Sequence, residues 1–97
     1  MRPVVALTVI IAYDVSSDTR RAQVASKLQA WGERIQRSVF VCVLGPDELD
    51  RLCRRLVALI DTTHDTLHVI PVCADCRDGV AVFGQATFDP PPLHWFI

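Results

Sequence analysis

The sequence predicts an α+β fold in which two helices cover one face of a small antiparallel sheet. Three observations support it. Apolar residues recur at helical spacing in two stretches, several runs rich in Val and Ile have the length of strands, and Gly or Pro marks several boundaries between them. The 97 residues suffice for one domain with one core, and a hydrophobic fraction of 51% with 22% charged residues indicates a folded chain.

The predicted elements can be placed along the chain from these patterns. In order they are a strand over 4–13, a helix over 19–31, a strand pair over 34–44 that bends at Ser38, a helix over 49–60, a strand over 67–72, a loop over 73–78 and a short final strand over 80–84. Ser17 or Asp18 can cap the first helix and Asp47 the second. Gly32 is placed to end the first helix.

The order strand, helix, strand pair, helix, strand is that of a ferredoxin-like βαββαβ sandwich, predicted here over 1–84 with an additional C-terminal strand. No helix covers the second face of such a sheet, so we expect a homodimer. Residues 85–97 form a proline-rich, apolar tail that ends in Trp-Phe-Ile, which is costly to expose. We expect the tail to contact a partner subunit. The alternative, folding back onto its own domain, is opposed by three consecutive prolines.

Hydropathy and charge narrow the class of protein. No apolar run reaches the roughly 18 residues that a membrane span needs. The apolar start of the sequence alternates and has no cleavage site, so we expect a first strand rather than a signal peptide, and a cytoplasmic protein.

The net charge of −1 is not that of a strongly basic nucleic-acid binder. Nine of the ten basic residues are Arg, however, and seven of them cluster locally: Arg20 and Arg21, Arg34 and Arg37, and Arg51, Arg54 and Arg55. Genomic base composition explains most of the bias, but the planar guanidinium also suits phosphate.

The four cysteines and three histidines give no recognisable metal site. Cys73 and Cys76 form a single C-x-x-C, whereas a structural zinc site usually needs two such pairs. Cys42 falls in a predicted strand and Cys53 on the apolar stripe of a predicted helix, where thiols behave as small hydrophobes. The histidines lack metal-ligand spacing among themselves, and we assign them no catalytic role.

Asp14 closes the first predicted strand, beside a turn and a helix N-terminus. A carboxylate there can bind a hard cation such as Mg²⁺ or Mn²⁺ through oxygen. Because one carboxylate per chain is few for such a site, two subunits would have to bring their Asp14 residues together. From the spacing alone, a turn-capping Asp is the simpler interpretation.

A family resemblance changes this interpretation. The chain has Tyr13-Asp14 closing strand one, Arg20-Arg21 on helix one, and the segment Arg34-Ile35-Gln36-Arg37-Ser38-Val39-Phe40 entering the next strands. These motifs, in this order, resemble the signature of the smaller of the two core CRISPR spacer-acquisition proteins, a family also known as CRISPR-associated endoribonucleases. The stretch after Asp65 resembles the family's fourth strand. The likeness extends to about Gly84.

The resemblance implies a ferredoxin-like symmetric dimer whose terminal strand pairs with the partner's sheet. It implies a scaffold that sits between copies of an integrase and holds double-stranded DNA for insertion into the CRISPR array. It also implies that some members are metal-dependent nucleases on RNA or DNA, with Asp14 of each subunit as catalytic residue and metal ligand. The residues that we expect to contact nucleic acid are Arg20, Arg21, Arg34 and Arg37, supported by Tyr13, Ser38 and Phe40. Tyr13 can stack on a base or pack within the protein, and packing is the simpler role.

Three function classes therefore remain, ranked in this order: a nucleic-acid-binding scaffold for spacer acquisition, a Mg²⁺- or Mn²⁺-dependent endonuclease, and a small-molecule or metal-ion binding module that uses Cys73 and Cys76. The first two can coexist in one protein.

Overall fold

Four strands and three helices make up residues 6–84, the part of the chain that the computed structural model describes. They are β1 (Leu7–Asp14), α1 (Asp18–Gln29), β2 (Gly32–Gln36), β3 (Val39–Leu44), α2 (Pro46–Leu59), β4 (Thr66–Val72) and α3 (Ala74–Asp78). The strand order is β2-β3-β1-β4, and all three neighbouring pairs are antiparallel. The ferredoxin-like sandwich predicted from the sequence is confirmed. The predicted tail, 85–97, and the first two residues of the predicted first strand, 4–5, lie outside the described residues.

The core lies between the sheet and the two long helices. Successive side chains of a strand point to opposite faces, and in β1 Val9, Ile11 and Tyr13 are buried on the helix side. The helices and β3 contribute the rest of the buried cluster, chiefly Val24, Leu28, Leu52, Leu56, Phe40, Cys42 and Leu44. Burial raises the pKa of the Cys42 thiol to about 12, so Cys42 acts as a small hydrophobe, as predicted.

Helix α1 begins where the sequence indicates a cap. Ser17 is the N-cap, and its Oγ accepts a hydrogen bond from the Arg20 amide at 3.2 Å. The helix ends at Gln29, two residues before the predicted end. Gly32 does not end the helix but begins β2. A side chain is excluded at this position because a Cβ would lie 2.1 Å from the Val41 carbonyl oxygen. The residue therefore permits close strand contact rather than a helix stop.

Helix α2 is capped by a residue other than the predicted Asp47. Gly45 is the N-cap, Pro46 is the first helical residue, and the Glu48 carboxylate accepts a hydrogen bond from the Gly45 amide at 2.9 Å. The reason is that the helix begins one residue before Asp47, which leaves Asp47 inside the first turn. No helix among residues 6–84 combines the length and apolar character needed to cross a membrane.

The chain after β4 differs from the sequence prediction in two places. Residues 73–78 were expected to form a loop, but Cys73 caps a helical turn and its carbonyl accepts from the Arg77 amide at 2.9 Å, forming α3. The expected strand over 80–84 is absent from the described residues, because no neighbouring strand offers that segment a ladder. Val80, Val82 and Phe83 are exposed there. Pairing of this segment with a second copy remains an expectation.

Candidate nucleic-acid interface and metal site at one end of the sheet

Asp14 lies at the end of β1, on the face of the sheet opposite α1 and α2. Its carboxylate is exposed, and its backbone is in register with Thr66 of β4. Alternation along β1 puts Thr8, Ile10 and Ala12 on the same face. The turn between β2 and β3, the N-terminus of α1 and the start of β4 all lie at this end of the sandwich. The structure thus places Asp14 where a second molecule can reach it.

Asp65, directly before β4, accepts hydrogen bonds from the segment that follows Asp14 and from the loop that precedes β4. Its buried carboxylate accepts from the Ser16 amide (3.0 Å) and hydroxyl (3.1 Å), from the Asp61 amide (2.9 Å), and from Arg20 Nε and Nη2 at 2.8 and 3.1 Å. The Arg20 guanidinium, followed by these amides and the Ser16 hydroxyl, outweighs burial and holds the pKa of Asp65 far below its usual value. The cluster joins the loop after β1 to the loop before β4.

Arg20, predicted to contact nucleic acid, is thus engaged within the protein. Its guanidinium donates to Asp65 and to the Ser16 hydroxyl, and the Asp65 carboxylate raises the pKa of Arg20. This bidentate pairing assigns Arg20 a structural contact that sequence reasoning missed. The only sequence signal was the Asp that precedes the fourth strand, because the two partners are 45 positions apart.

Arg21, Arg34 and Arg37, the other predicted contacts, lie together. They line a shallow cavity of about 240 Å³ with Tyr13 and Asp18. Arg21 pairs with Asp18, while its Nε is shielded from solvent without a hydrogen-bond partner among the described residues. The three guanidinium groups come from α1, from β2 and from the turn that follows β2. They form a concave basic surface, which we call the arginine surface.

Of the predicted supporting residues Tyr13, Ser38 and Phe40, only Tyr13 lines the cavity of the arginine surface. Tyr13 is only 5% exposed and stacks on the fully buried Phe40 at a ring-centroid distance of 6.4 Å. The Ser38 carbonyl accepts from the Tyr13 amide at 3.0 Å, which attaches the β2–β3 turn to β1. The Arg34 guanidinium lies 5.2 Å from the Phe40 ring centroid, a cation–π distance that orients it. Of the two roles considered for Tyr13, the geometry favours packing.

Metal binding by a single chain would rest on Asp14 alone. Among residues 6–84, no three or more His, Cys, Asp or Glu side chains are grouped as metal ligands. Asp65 is engaged with Arg20, and Asp61 accepts hydrogen bonds from Thr63 and His64. Mg²⁺ in proteins is usually held by one or two carboxylates together with phosphate oxygens and water. Among residues 6–84, Asp14 by itself therefore does not make a metal site.

A cavity of about 890 Å³ is a separate feature. It lies on the outer face of α1 and α2, where its lining includes Trp31, Arg55 and Leu59. Neither Asp14 nor any member of the arginine surface lines it. Its size does not make it the site, because none of its side chains is a carboxylate, thiol or imidazole.

The Asp65 cluster predicts a pH dependence of stability. A carboxyl whose pKa is lower in the folded than in the unfolded chain stabilises the fold above the unfolded pKa, near 3.9. This contribution is lost as pH falls from about 4 toward the lower folded pKa. We expect urea unfolding between pH 7 and pH 2 to show the loss in the wild type and a weaker dependence in Asp65→Asn. Asp78→Asn, an equal charge change at an exposed position, is the control. If the free energy of unfolding of Asp65→Asn fell with decreasing pH as steeply as that of the wild type, the account would be contradicted.

Comparison with known proteins gives a consistent result. The family described as "CRISPR associated protein Cas2" matches residues 7–80. A CRISPR-associated endoribonuclease Cas2 of Chloroflexus aurantiacus is 37% identical over 84 residues, which cover 86% of this chain and 87% of that protein.

Two solved structures share the fold. A hypothetical protein from Thermus thermophilus is 38% identical with a TM-score of 0.78, and the match covers 90% of this chain and all of that one. Streptococcus pyogenes Cas2, crystallised at pH 6.5, is 28% identical with a TM-score of 0.73, covering 79% of this chain and 99% of its own.

Proposed function

This chain belongs to the Cas2 family of CRISPR-associated proteins, and on that premise we propose that it is a homodimeric nucleic-acid-binding scaffold that acts with an integrase to insert new spacers into the CRISPR array. The observation that carries the proposal is the arginine surface. A scaffold has to hold duplex DNA of any sequence, and guanidinium groups that contact phosphates do this without reading bases. We place the protein in the cytoplasm, where such an array would lie.

Apolar side chains on the sheet face opposite α1 and α2 support the homodimer in this proposal. Ile10 is half-buried and in register with Ile70 of β4, which is 48% exposed, whereas its other neighbour, Val41 of β3, is already buried within the chain. Phe83, in the segment after α3, is 92% exposed. Burial of such side chains stabilises an interface by about 1.5–3 kcal/mol each. In a two-fold dimer built on this face, each subunit would contribute its Asp14 to the shared surface.

Reconstitution tests the scaffold. The purified chain, its integrase, a short duplex and a repeat-bearing target are combined, and insertion of the duplex is measured with and without the chain. We expect insertion only when the chain is present and the duplex to remain bound to the complex. Equal insertion without the chain would contradict the proposal.

A second function, metal-dependent cleavage of RNA or double-stranded DNA, is favoured by the exposed Asp14 and by relatives named endoribonuclease or endonuclease. Asp14 of each subunit would hold Mg²⁺ or Mn²⁺ at low affinity, together with phosphate oxygens. The metal supplies charge neutralisation on the phosphate and a more acidic water. The protein's part is to orient the phosphodiester on the arginine surface.

The cleavage function predicts a metal-dependent activity that requires Asp14. With Mg²⁺ or Mn²⁺ and labelled RNA or duplex DNA, we expect a hundredfold or greater loss of cleavage in Asp14→Asn, a loss of about 2.7 kcal/mol in transition-state stabilisation. Asp47→Asn, which changes an exposed carboxylate on α2 outside the arginine surface, should retain most of the activity. Cleavage that survives in Asp14→Asn would identify a contaminating nuclease.

A further inference from the structure

Cys73 and Cys76 lie side by side at the start of α3, and neither belongs to the site described above. Both are exposed, whereas Cys42 is buried and Cys53 half-buried. Cys73 is the N-cap residue, and its Sγ accepts a hydrogen bond from the Cys76 amide at 3.4 Å. Two accessible thiols three positions apart across one helical turn can form a disulfide with little movement of the backbone.

The backbone around the pair is fixed on both sides. Cys73 directly follows Val72, which is in register with Thr8 of β1. The Cys73 carbonyl accepts from the Arg77 amide at 2.9 Å, and the Arg77 guanidinium donates to the Thr8 hydroxyl at 3.4 Å. The turn that carries the thiols is thus attached to the central strand of the sheet, so the proximity of the thiols belongs to the fold.

The two thiols are not equivalent. The Cys76 amide, followed by the Cys76 thiol, lowers the pKa of Cys73 by hydrogen bonding. The hydrogen bond between the two thiols raises the pKa of Cys76, so Cys76 loses its proton second. A lowered pKa favours the thiolate, which is the form that attacks disulfides. Cys73 is therefore suited to attack and Cys76 to resolve.

We propose that Cys73 and Cys76 form a redox-active dithiol that low-molecular-weight disulfides oxidise to an intramolecular disulfide. The Cys73 thiolate attacks one sulfur of the small disulfide, whose S–S bond breaks and releases one thiolate. Cys76 then loses its proton to solvent and attacks Cys73 Sγ, which releases the second thiolate. Two electrons and two protons pass from the protein thiols to the small disulfide, which becomes two thiols.

A metal site is the competing use of the pair, and the ligand count opposes it. A structural zinc site takes four ligands, and two thiols supply half of them. Within the part of the chain that the structure describes, no third Cys, His, Asp or Glu completes a group with them. A dithiol needs no third partner to be oxidised.

The test exposes the full chain to mixtures of reduced and oxidised glutathione, followed by acid quench, unfolding in guanidinium chloride so that buried thiols become accessible, alkylation and mass spectrometry. We expect a disulfide that links Cys73 to Cys76, with Cys42 and Cys53 alkylated in every mixture. At pH 7, Cys73 should be alkylated several times faster than Cys76. In Cys76→Ser, glutathione should remain as a mixed disulfide on Cys73. In Cys73→Ser, several-fold less glutathione should accumulate as a mixed disulfide on Cys76. The control variant, Cys53→Ser, should behave as wild type.

Three results would overturn the proposal. One is a pair that stays reduced in excess oxidised glutathione. Another is equal trapping of glutathione by Cys73→Ser and Cys76→Ser, which would remove the attacking and resolving roles. The third is stoichiometric zinc bound by the reduced chain through Cys73 and Cys76 with affinity sufficient to prevent oxidation. None of these measurements depends on nucleic acid, so they stand apart from the test of the scaffold.

Discussion

Replacement of Arg21, Arg34 and Arg37 together by Gln is expected to weaken duplex DNA binding about a hundredfold near 0.15 M salt. Each guanidinium that contacts a phosphate displaces counterions, so the slope of log affinity against log salt should fall by about 3 for the triple variant. The three side chains line one concave surface, and a duplex placed there would meet all of them. Fluorescence anisotropy of a labelled duplex at several salt concentrations measures both quantities.

The matched control removes the same charge elsewhere. Arg51, Arg54 and Arg55 are exposed on α2, and one of them pairs with Asp50. Their triple Gln variant should keep duplex affinity within a fewfold of wild type. If both variants lost affinity equally, binding would depend on overall charge, and the arginine surface would not be the interface. Circular dichroism should show both variants folded.

Gly32→Ala is expected to destabilise the fold strongly, because the added methyl group would overlap backbone atoms of β3. An added Cβ would lie 2.1 Å from the Val41 carbonyl oxygen and 2.8 Å from Cys42 Cα, both backbone atoms of β3. Overpacking of a core typically costs about 1–3 kcal/mol by displacing side chains. Here strands would have to separate, so we expect the upper end of that range, about 3 kcal/mol, in urea unfolding.

Gly79→Ala tests whether the effect belongs to the site rather than to the substitution. The nearest atom to its Cβ is at 3.5 Å, an ordinary contact, and its φ of −88° suits any residue. We expect this variant to unfold within about 0.5 kcal/mol of wild type. Similar free energies of unfolding for the two variants would show that β2 tolerates the added methyl group. Because β2 carries Arg34, Gly32→Ala should also weaken duplex binding.

The element order was predictable because it depends on local patterns. The alternation in β1 and the apolar stripe of α2, with Leu52 and Leu56 facing the core, specify their structure without a partner. The end of the chain was not predictable in the same way. A strand over 80–84 needs a neighbour, and no strand among residues 6–84 lies beside it. The thiol cap that begins α3 had no clear signal, because Cys is an uncommon capping residue.

The candidate site was predicted in part. The sequence motif indicated Asp14 and the three clustered arginines, and the position of the motif between predicted strands indicated that they lie near one another. That Arg20 pairs with Asp65 could not be inferred from spacing, because the pairing depends on how the loop before β4 packs against the loop after β1. Gly32 was interpreted as a helix stop because its distance from β3 is a tertiary property. Contacts between elements distant in sequence account for the missed Arg20–Asp65 pair and for the wrong interpretation of Gly32, whereas a nucleic-acid contact by Arg20 stays a prediction.

The most direct test of the scaffold is spacer integration by Asp14→Asn. The variant and wild type are each combined with the integrase, a short duplex and a repeat-bearing target, and inserted duplex is measured over time. The account predicts equal integration, because phosphate contacts position the duplex and the carboxylate is dispensable for that role. Loss of integration by a variant that is still dimeric and still binds the integrase would contradict it, and would make the chemistry at Asp14 the function of this protein.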